Sequence, residues 1–293
     1  MIYKGIEIVQ KKMLEILRYI DEICNREKIT YFLDGGNHIG ALRHKGFIPW
    51  DDDIDISLFK KDYLRLIELL RKEKKVYFYY DDFSSHCCQF IFIPNKYWQI
   101  QNGSIFPSVY PIKLDIRPLN VINNSAEDIK VNNLYRSCAE FILFGKIKNI
   151  SQEEIEKTIF NFGGNQLFLE FYNTKYGLIE PSDNTLCAHP YFTYSVENPL
   201  PSNCFLPVKK VCFENFNTFI PGTDEFLKLY YGDYMLLPKK TEQIPYAKGV
   251  VIVKKSLNHK LSNLFVKRIC HKANFIEKIK IKLLMKFFTR KLR

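Results

Sequence analysis

The stretch Asp51-Asp52-Asp53-Ile54-Asp55-Ile56 packs four carboxylates into five consecutive positions. Like charges this close repel, so the segment is costly unless a cation neutralises it. Its downstream flank reads as a strand, because Ile54, Ile56 and Leu58 alternate with Asp53, Asp55 and Ser57. Side chains two apart on a strand share a face. The alternation therefore predicts Asp51, Asp53 and Asp55 on one side, Asp52 turned away, and Ile54 and Ile56 in a core. Oxygen ligands gathered at one spot suit Mg²⁺ or Mn²⁺, and those ions suit phosphate chemistry. The plainer alternative is a polar strand end exposed to water.

Working outward, Tyr31-Phe32-Leu33 reads as a short strand that ends at Gly35-Gly36, followed by a brief helix from Asn37 to His44. Backbone N–H groups at side-chain-free Gly35 and Gly36 can approach a phosphate closely. Gly-Gly is also ordinary turn punctuation. Upstream, Ile6, Val9, Met13, Ile16, Leu17, Ile20 and Ile23 recur at helical spacing over residues 6–28. Downstream, a helix is expected at about 60–73, with strands near 76–81, 88–93 and 112–117. Residues 126–145 and 151–176 read as helical, 180–222 as proline-bearing and irregular, and 223–231 as a helix stopped by Gly232. The order predicts an α+β (mixed α/β) protein with a sheet flanked by helices. A later acid, Asp115, lies in the apolar-flanked run Lys113-Leu114-Asp115-Ile116-Arg117. It reads either as a third acid of the site or as a strand-end acid paired with Lys113 or Arg117. Glycine turn, alternating acids and a later acid together supply the parts of a phosphoryl- or nucleotidyl-transfer site.

Composition narrows the class. The 293 residues are 46% hydrophobic and 15% aromatic, enough for a sizeable core. No run of 18 apolar residues occurs, so no spanning helix is expected, and the N-terminal residues lack a signal-peptide pattern. The eight cysteines show no CxxC pair, which suits reduced thiols in a cytosol. Cys187, His189, Cys204 and Cys212 match no standard zinc spacing. The net charge of +11 is localised: residues 254–293 carry 13 Lys/Arg and one acid, Glu277, leaving the other 253 residues at −1. In that segment Leu261, Leu264, Phe265 and Ile269 form one apolar stripe, and Ile276, Ile279, Leu283, Leu284, Phe287 and Phe288 another. A basic amphipathic segment suits an anionic membrane surface; a helix docked on the body is the alternative, and nucleic acid is not expected.

Residues 33–56, LDGGNHIGALRHKGFIPWDDDIDI, closely resemble the signature of the LicD family. The resemblance continues at Lys113-Leu114-Asp115-Ile116, at Phe213-Glu214, and from Ile220-Pro221 through Tyr231-Gly232-Asp233-Tyr234-Met235 to Leu237-Pro238. It implies a nucleotidyltransferase fold and transfer of phosphocholine or a similar phospho-alcohol from a CDP-activated donor to a cell-surface glycan. It further implies Asp53, Asp55 and Asp115 as catalytic and Mg²⁺- or Mn²⁺-binding acids; strand parity adds Asp51 in support. Gly35, Gly36, Arg43, His44, Lys45 and Trp50 are the expected substrate-binding residues. Arg43 can grip a phosphate with two bonds, although a solvated helix end explains Arg43, His44 and Lys45 equally well. Trp50, with Phe47, can stack on a cytosine base or cage choline, or simply pack beneath the strand. Asn37, His38 and Arg117 depart from the family pattern.

The resulting expectation is a catalytic domain over residues 1–245, with a helical insert at about 125–176, and a basic C-terminal segment over 254–293. The enzyme would release CMP while sitting at the inner face of a membrane, where a lipid-linked glycan acceptor is presented. A nucleotidyltransferase that releases pyrophosphate and a non-catalytic, membrane-associated scaffold of the same fold are the alternatives.

Overall fold

The computed structural model describes residues 5–78, 89–102, 107–145, 150–188 and 199–252. The basic segment 254–293, His189, Cys87 and Cys88 lie outside the described residues. Helix α1 (Ile6–Glu27) forms as its periodicity predicts, with Val9, Met13, Ile16, Leu17 and Ile20 at most 2% exposed. That apolar face packs on one side of a mixed sheet whose strands are β1 (Phe32–Leu33), β2 (Asp55–Phe59), β7 (Leu114–Asn123), β4 (Gln89–Phe92) and β3 (Tyr77–Phe78), in that spatial order. β2 and β7 run parallel, and the other pairings along this path are antiparallel. Between β2 and β3, α3 (Lys60–Lys72) buries Tyr63, Leu66, Ile67 and Leu70 against the same core.

The ten-residue β7 is the spine of the molecule. Its first half pairs with β2 and β4; its last four residues pair with β8 (Thr185–Ala188), which pairs in turn with β9 (Leu200–Pro201). Helices α4 (Ala126–Phe144), α5 (Gln152–Asn161) and α6 (Asn165–Lys175) cover this far end with an aromatic-rich core that includes Phe168 and Tyr172. Continuous helix was expected over 151–176. Gly163 and Gly164 instead break it, with φ of 85° and 108°, conformations open to residues without a Cβ.

Residues 180–222 hold more order than their composition suggested. Besides β8 and β9 they contain a hairpin of β10 (Lys209–Phe213) and β11 (Phe216–Ile220). A second antiparallel sheet joins β5 (Tyr97–Asn102) to β6 (Pro107–Pro111) and to β12 (Gly249–Ile252). Helix α7 (Glu225–Tyr231) ends at Gly232, which takes a positive φ of 62° as the sequence predicts.

Candidate active site

The acidic stretch is only half strand. Regular pairing starts at Asp55; before it, Asp51 closes a turn by donating its N–H to the Ile48 carbonyl at 2.8 Å. The parallel register sets Asp55 directly beside Asp115. The Asp34 N–H donates to the Asp55 carbonyl at 3.1 Å and the Asp115 N–H to the Ile54 carbonyl at 2.9 Å. Asp34, Asp55 and Asp115 therefore form a row along one sheet edge, at 2%, 4% and 5% exposure, while Asp53 is exposed.

Electrostatics tie these acids together. Burial raises the Asp55 carboxyl well above the usual range; Arg117 opposes the rise, and Asp53, Asp115 and Asp34 add to it. Burial likewise raises Asp115, against the pull of Lys113 and Arg117. Asp51 is pushed well up by burial and next by Asp53, whose carboxyl it hydrogen-bonds. Two cations answer five acids. Arg117 Nη2 lies 2.9 Å from Asp55 Oδ2, and Lys113 pairs with Asp115 Oδ1. The reading of Asp115 as an acid paired with Lys113 thus holds, and Asp115 still stands beside Asp55.

Among the described residues, no three His, Cys, Asp or Glu side chains surround one point as a preformed metal cage, because Asp55 and Asp115 are turned towards their cations. The donor chemistry nonetheless fits a hard divalent ion. All the donors are carboxylate oxygens, and Asp51 Oδ2 and Asp55 Oδ1 are enclosed without a hydrogen-bond partner. Asp51, Asp53 and Asp55 are the residues that would hold it.

The glycine turn is tied closely to the acids. Asp34 caps α2 (Gly35–Ile39), its Oδ1 accepting from the Gly35 N–H at 2.7 Å. A Cβ on Gly36 would stand 3.0 Å from Asp51 Oδ2, so Gly36 makes room for that carboxyl. Asn37 is fully buried and does not cap the helix. Its Oδ1 accepts from the Asp55 N–H at 2.5 Å and its Nδ2 donates to the Asp53 carbonyl at 3.2 Å. One amide thereby holds the backbone of both acids. His38 is a neutral core residue, its pKa pushed down by burial to about 4.

Arg43 and His44 end a π-helical turn, Gly40–His44, and Lys45 follows it, exposed. Arg43 Nη1 donates to the Tyr234 carbonyl and, at 3.0 Å, to the Leu236 carbonyl, while its Nε donates to His44 Nε2 at 3.0 Å. Its guanidinium is thus engaged by the chain itself. Trp50 packs at the edge of an apolar cluster with Ile39, Ile48, Phe226 and Tyr234, and meets His44 edge-on at 6.3 Å. Asp52 faces away, as alternation predicts, and accepts from the Tyr246 and Ala247 N–H groups at 3.2 and 2.5 Å. Cys187, Cys204 and Cys212 bind separate partners: Ser202, Glu225 and the Glu214 carbonyl.

Sequence reasoning missed Asp34, Gln10 and the structural use of Glu214. An aspartate just before Gly-Gly is a helix-cap signal and was there to be read. Gln10 on α1 donates to the Ile48 and Asp51 carbonyls at 3.2 and 2.9 Å. Glu214, at φ 57°, accepts from the Phe47 N–H at 3.0 Å. These contacts come from remote segments and leave no local pattern.

Residues 28–125, which hold every acid of this edge, match the family model described as LicD/FKTN/FKRP, nucleotidyltransferase domain. This stretch is similar to LicD-type domains. Over 247 residues, covering 80% of this chain and 92% of the relative, the sequence is 29% identical to the lipopolysaccharide cholinephosphotransferase LicD of Haemophilus influenzae. Shorter likenesses, 35% identical over 52 residues, reach the ribitol 5-phosphate transferase FKRP of Homo sapiens and of Mus musculus, covering 18% of this chain and 10% of each relative. The LicD-type match thus takes in α2, β2 and the whole of β7, while the aromatic insert lies beyond it.

Proposed function

We propose that this chain transfers a phospho-alcohol, phosphocholine being the first candidate, from a CDP-activated donor to a glycan hydroxyl with release of CMP. The carrying observation is the Asp55–Asp115 pairing beside Asp53, a charge-deficient row inside the LicD-type domain. Among relatives, a cholinephosphotransferase and a ribitol 5-phosphate transferase both move a substituted phosphate group, which supports a phosphotransferase.

Mg²⁺ or Mn²⁺ bound at Asp51, Asp53 and Asp55 would neutralise charge on the donor diphosphate. Asp115 takes the proton of the attacking hydroxyl, and Lys113 beside it favours the carboxylate form against the effect of burial. Arg117 holds Asp55 in place. The acceptor oxygen forms a bond to the phosphorus of the phospho-alcohol as the bond to the CMP oxygen breaks, in line. The glycan acceptor is lipid-linked, and residues 254–293 bring the enzyme to the anionic inner face of the membrane; no helix among the described residues is long and apolar enough to cross it.

The test measures CMP release from CDP-choline and from CDP-ribitol with a glycan acceptor, with and without Mg²⁺. CMP formation that depends on acceptor and metal and is lost in Asp53→Asn and Asp55→Asn supports the proposal. Unchanged turnover in both variants, or pyrophosphate released from a nucleoside triphosphate instead, contradicts it.

A further inference from the structure

After α7 the chain runs as a strap over residues 233–247 that is tied down at both ends. One stem is held by Arg43, which takes the Tyr234 and Leu236 carbonyls; the other is held by Asp52, which takes the Tyr246 and Ala247 N–H groups. Asp52 is the neighbour of both Asp51 and Asp53, so this second stem sits one residue from the site. Inside, the strap is knitted by the Leu236 N–H to the Asp233 carbonyl at 3.1 Å, Glu242 to Lys239 at 2.8 Å, and Gln243 Nε2 to the Pro238 carbonyl at 2.9 Å.

Its side chains divide sharply. Tyr234, Pro245 and Ala247 face in and are buried. Met235, Leu236, Leu237, Ile244 and Tyr246 face out at 53%, 68%, 60%, 48% and 72% exposure. Single exposed apolar residues are ordinary, but five on one short ordered loop mark an interaction surface. Exposed Lys239, Lys240 and Lys248 lie beside them, with two exposed acids, Asp233 and Glu242. The sequence that follows Ile252 carries 13 Lys/Arg and one acid. Apolar side chains ringed by lysine and continuous in sequence with a strongly basic run complement an anionic lipid surface.

We propose that the 233–247 strap is an interfacial anchor that lays Leu236, Leu237, Ile244 and Tyr246 among the headgroups of an anionic bilayer and so holds the acidic row at the membrane surface. This goes beyond the transfer reaction, since it fixes where the site works whichever donor it uses, and its test needs no turnover.

The full-length chain is sedimented with vesicles of phosphatidylcholine mixed with phosphatidylglycerol, and with vesicles of phosphatidylcholine alone. Binding to the anionic vesicles is expected, weakened about tenfold or more in the doubly substituted Leu236→Ser/Leu237→Ser protein. As a second measurement, the emission of a Leu236→Trp protein shifts to the blue when anionic vesicles are added. Equal vesicle binding by the serine double variant and wild type would overturn the proposal. So would Leu236→Trp emission that ignores vesicles, or that is already blue-shifted without them because a second copy or the chain's own C-terminal segment covers the strap.

Discussion

The two halves of β7 belong to different chemistries. Its first half carries Asp115 and Arg117 into a row where five carboxylates, all but Asp53 buried or half-buried, meet two cations. Its last four residues run into an apolar region, where Ile122 joins Phe168, Tyr172 and the α4–α6 helices and Asn120 finds the Tyr172 hydroxyl at 3.2 Å. One strand thus links a largely apolar helical core to an edge left short of positive charge. Substitutions at the two ends should therefore separate stability from activity.

At the acidic end, Asp55→Asn should cut CMP release by about a thousandfold or more while the protein still folds, because a group that meets charge in the transition state is lost. At the far end, Phe168→Ala should cost about 3–5 kcal/mol in urea unfolding by opening a cavity, with the specific activity of the folded fraction retained. Comparable activity losses in both would erase the division. Asn37→Ala links the two effects. It strips the buried Asp55 N–H of its acceptor, costing about 1–3 kcal/mol, and loosens the acids, so the midpoint for Mg²⁺ activation should rise along with the drop in stability.

The pH dependence should be localised too. Asp51, Asp55 and Asp115 have folded-state pKa values above their unfolded ones, so the native state binds more protons than the unfolded state. Stability without divalent ions therefore falls as pH rises from the ordinary carboxyl range through the raised values. Asp51→Asn removes part of that penalty and should raise the metal-free melting temperature at neutral pH, an effect of about 1 kcal/mol. A lowered melting temperature would show that Asp51 is paired by a group other than its neighbouring acids. The smallest effect belongs to Phe160, 81% exposed on α5 of the apolar end: Phe160→Ser should change stability by less than about 0.5 kcal/mol.

The sequence and the structure agree where local periodicity is strong. The α1 stripe and the Ile54, Ile56, Leu58 alternation predicted their elements closely, and the acid on a later strand did come to lie beside Asp55. Agreement fails where order depends on remote partners. β12 pairs with β5 across some 150 positions, matching Gly249 to Ile100, and no local pattern announces such a pairing. The mostly exposed β10 buries only Phe213 fully, with Val211 half-covered, too short an apolar face to betray its period. Within the site, residue types were legible but allegiances were not. Arg43 is spent on backbone carbonyls of the strap, and the family-departing Asn37 becomes the clamp of the acidic segment. Both outcomes turn on which carbonyl or N–H arrives from elsewhere in the fold, which residue identity alone does not encode.

Calorimetric titration of Mg²⁺ or Mn²⁺ into the full chain probes the charge-deficient edge most directly. Saturable binding that vanishes in Asp53→Asn and Asp55→Asn, yet survives unchanged in Phe160→Ser, is the predicted result. Binding of equal strength in wild type and both asparagine variants would contradict the assignment of these acids.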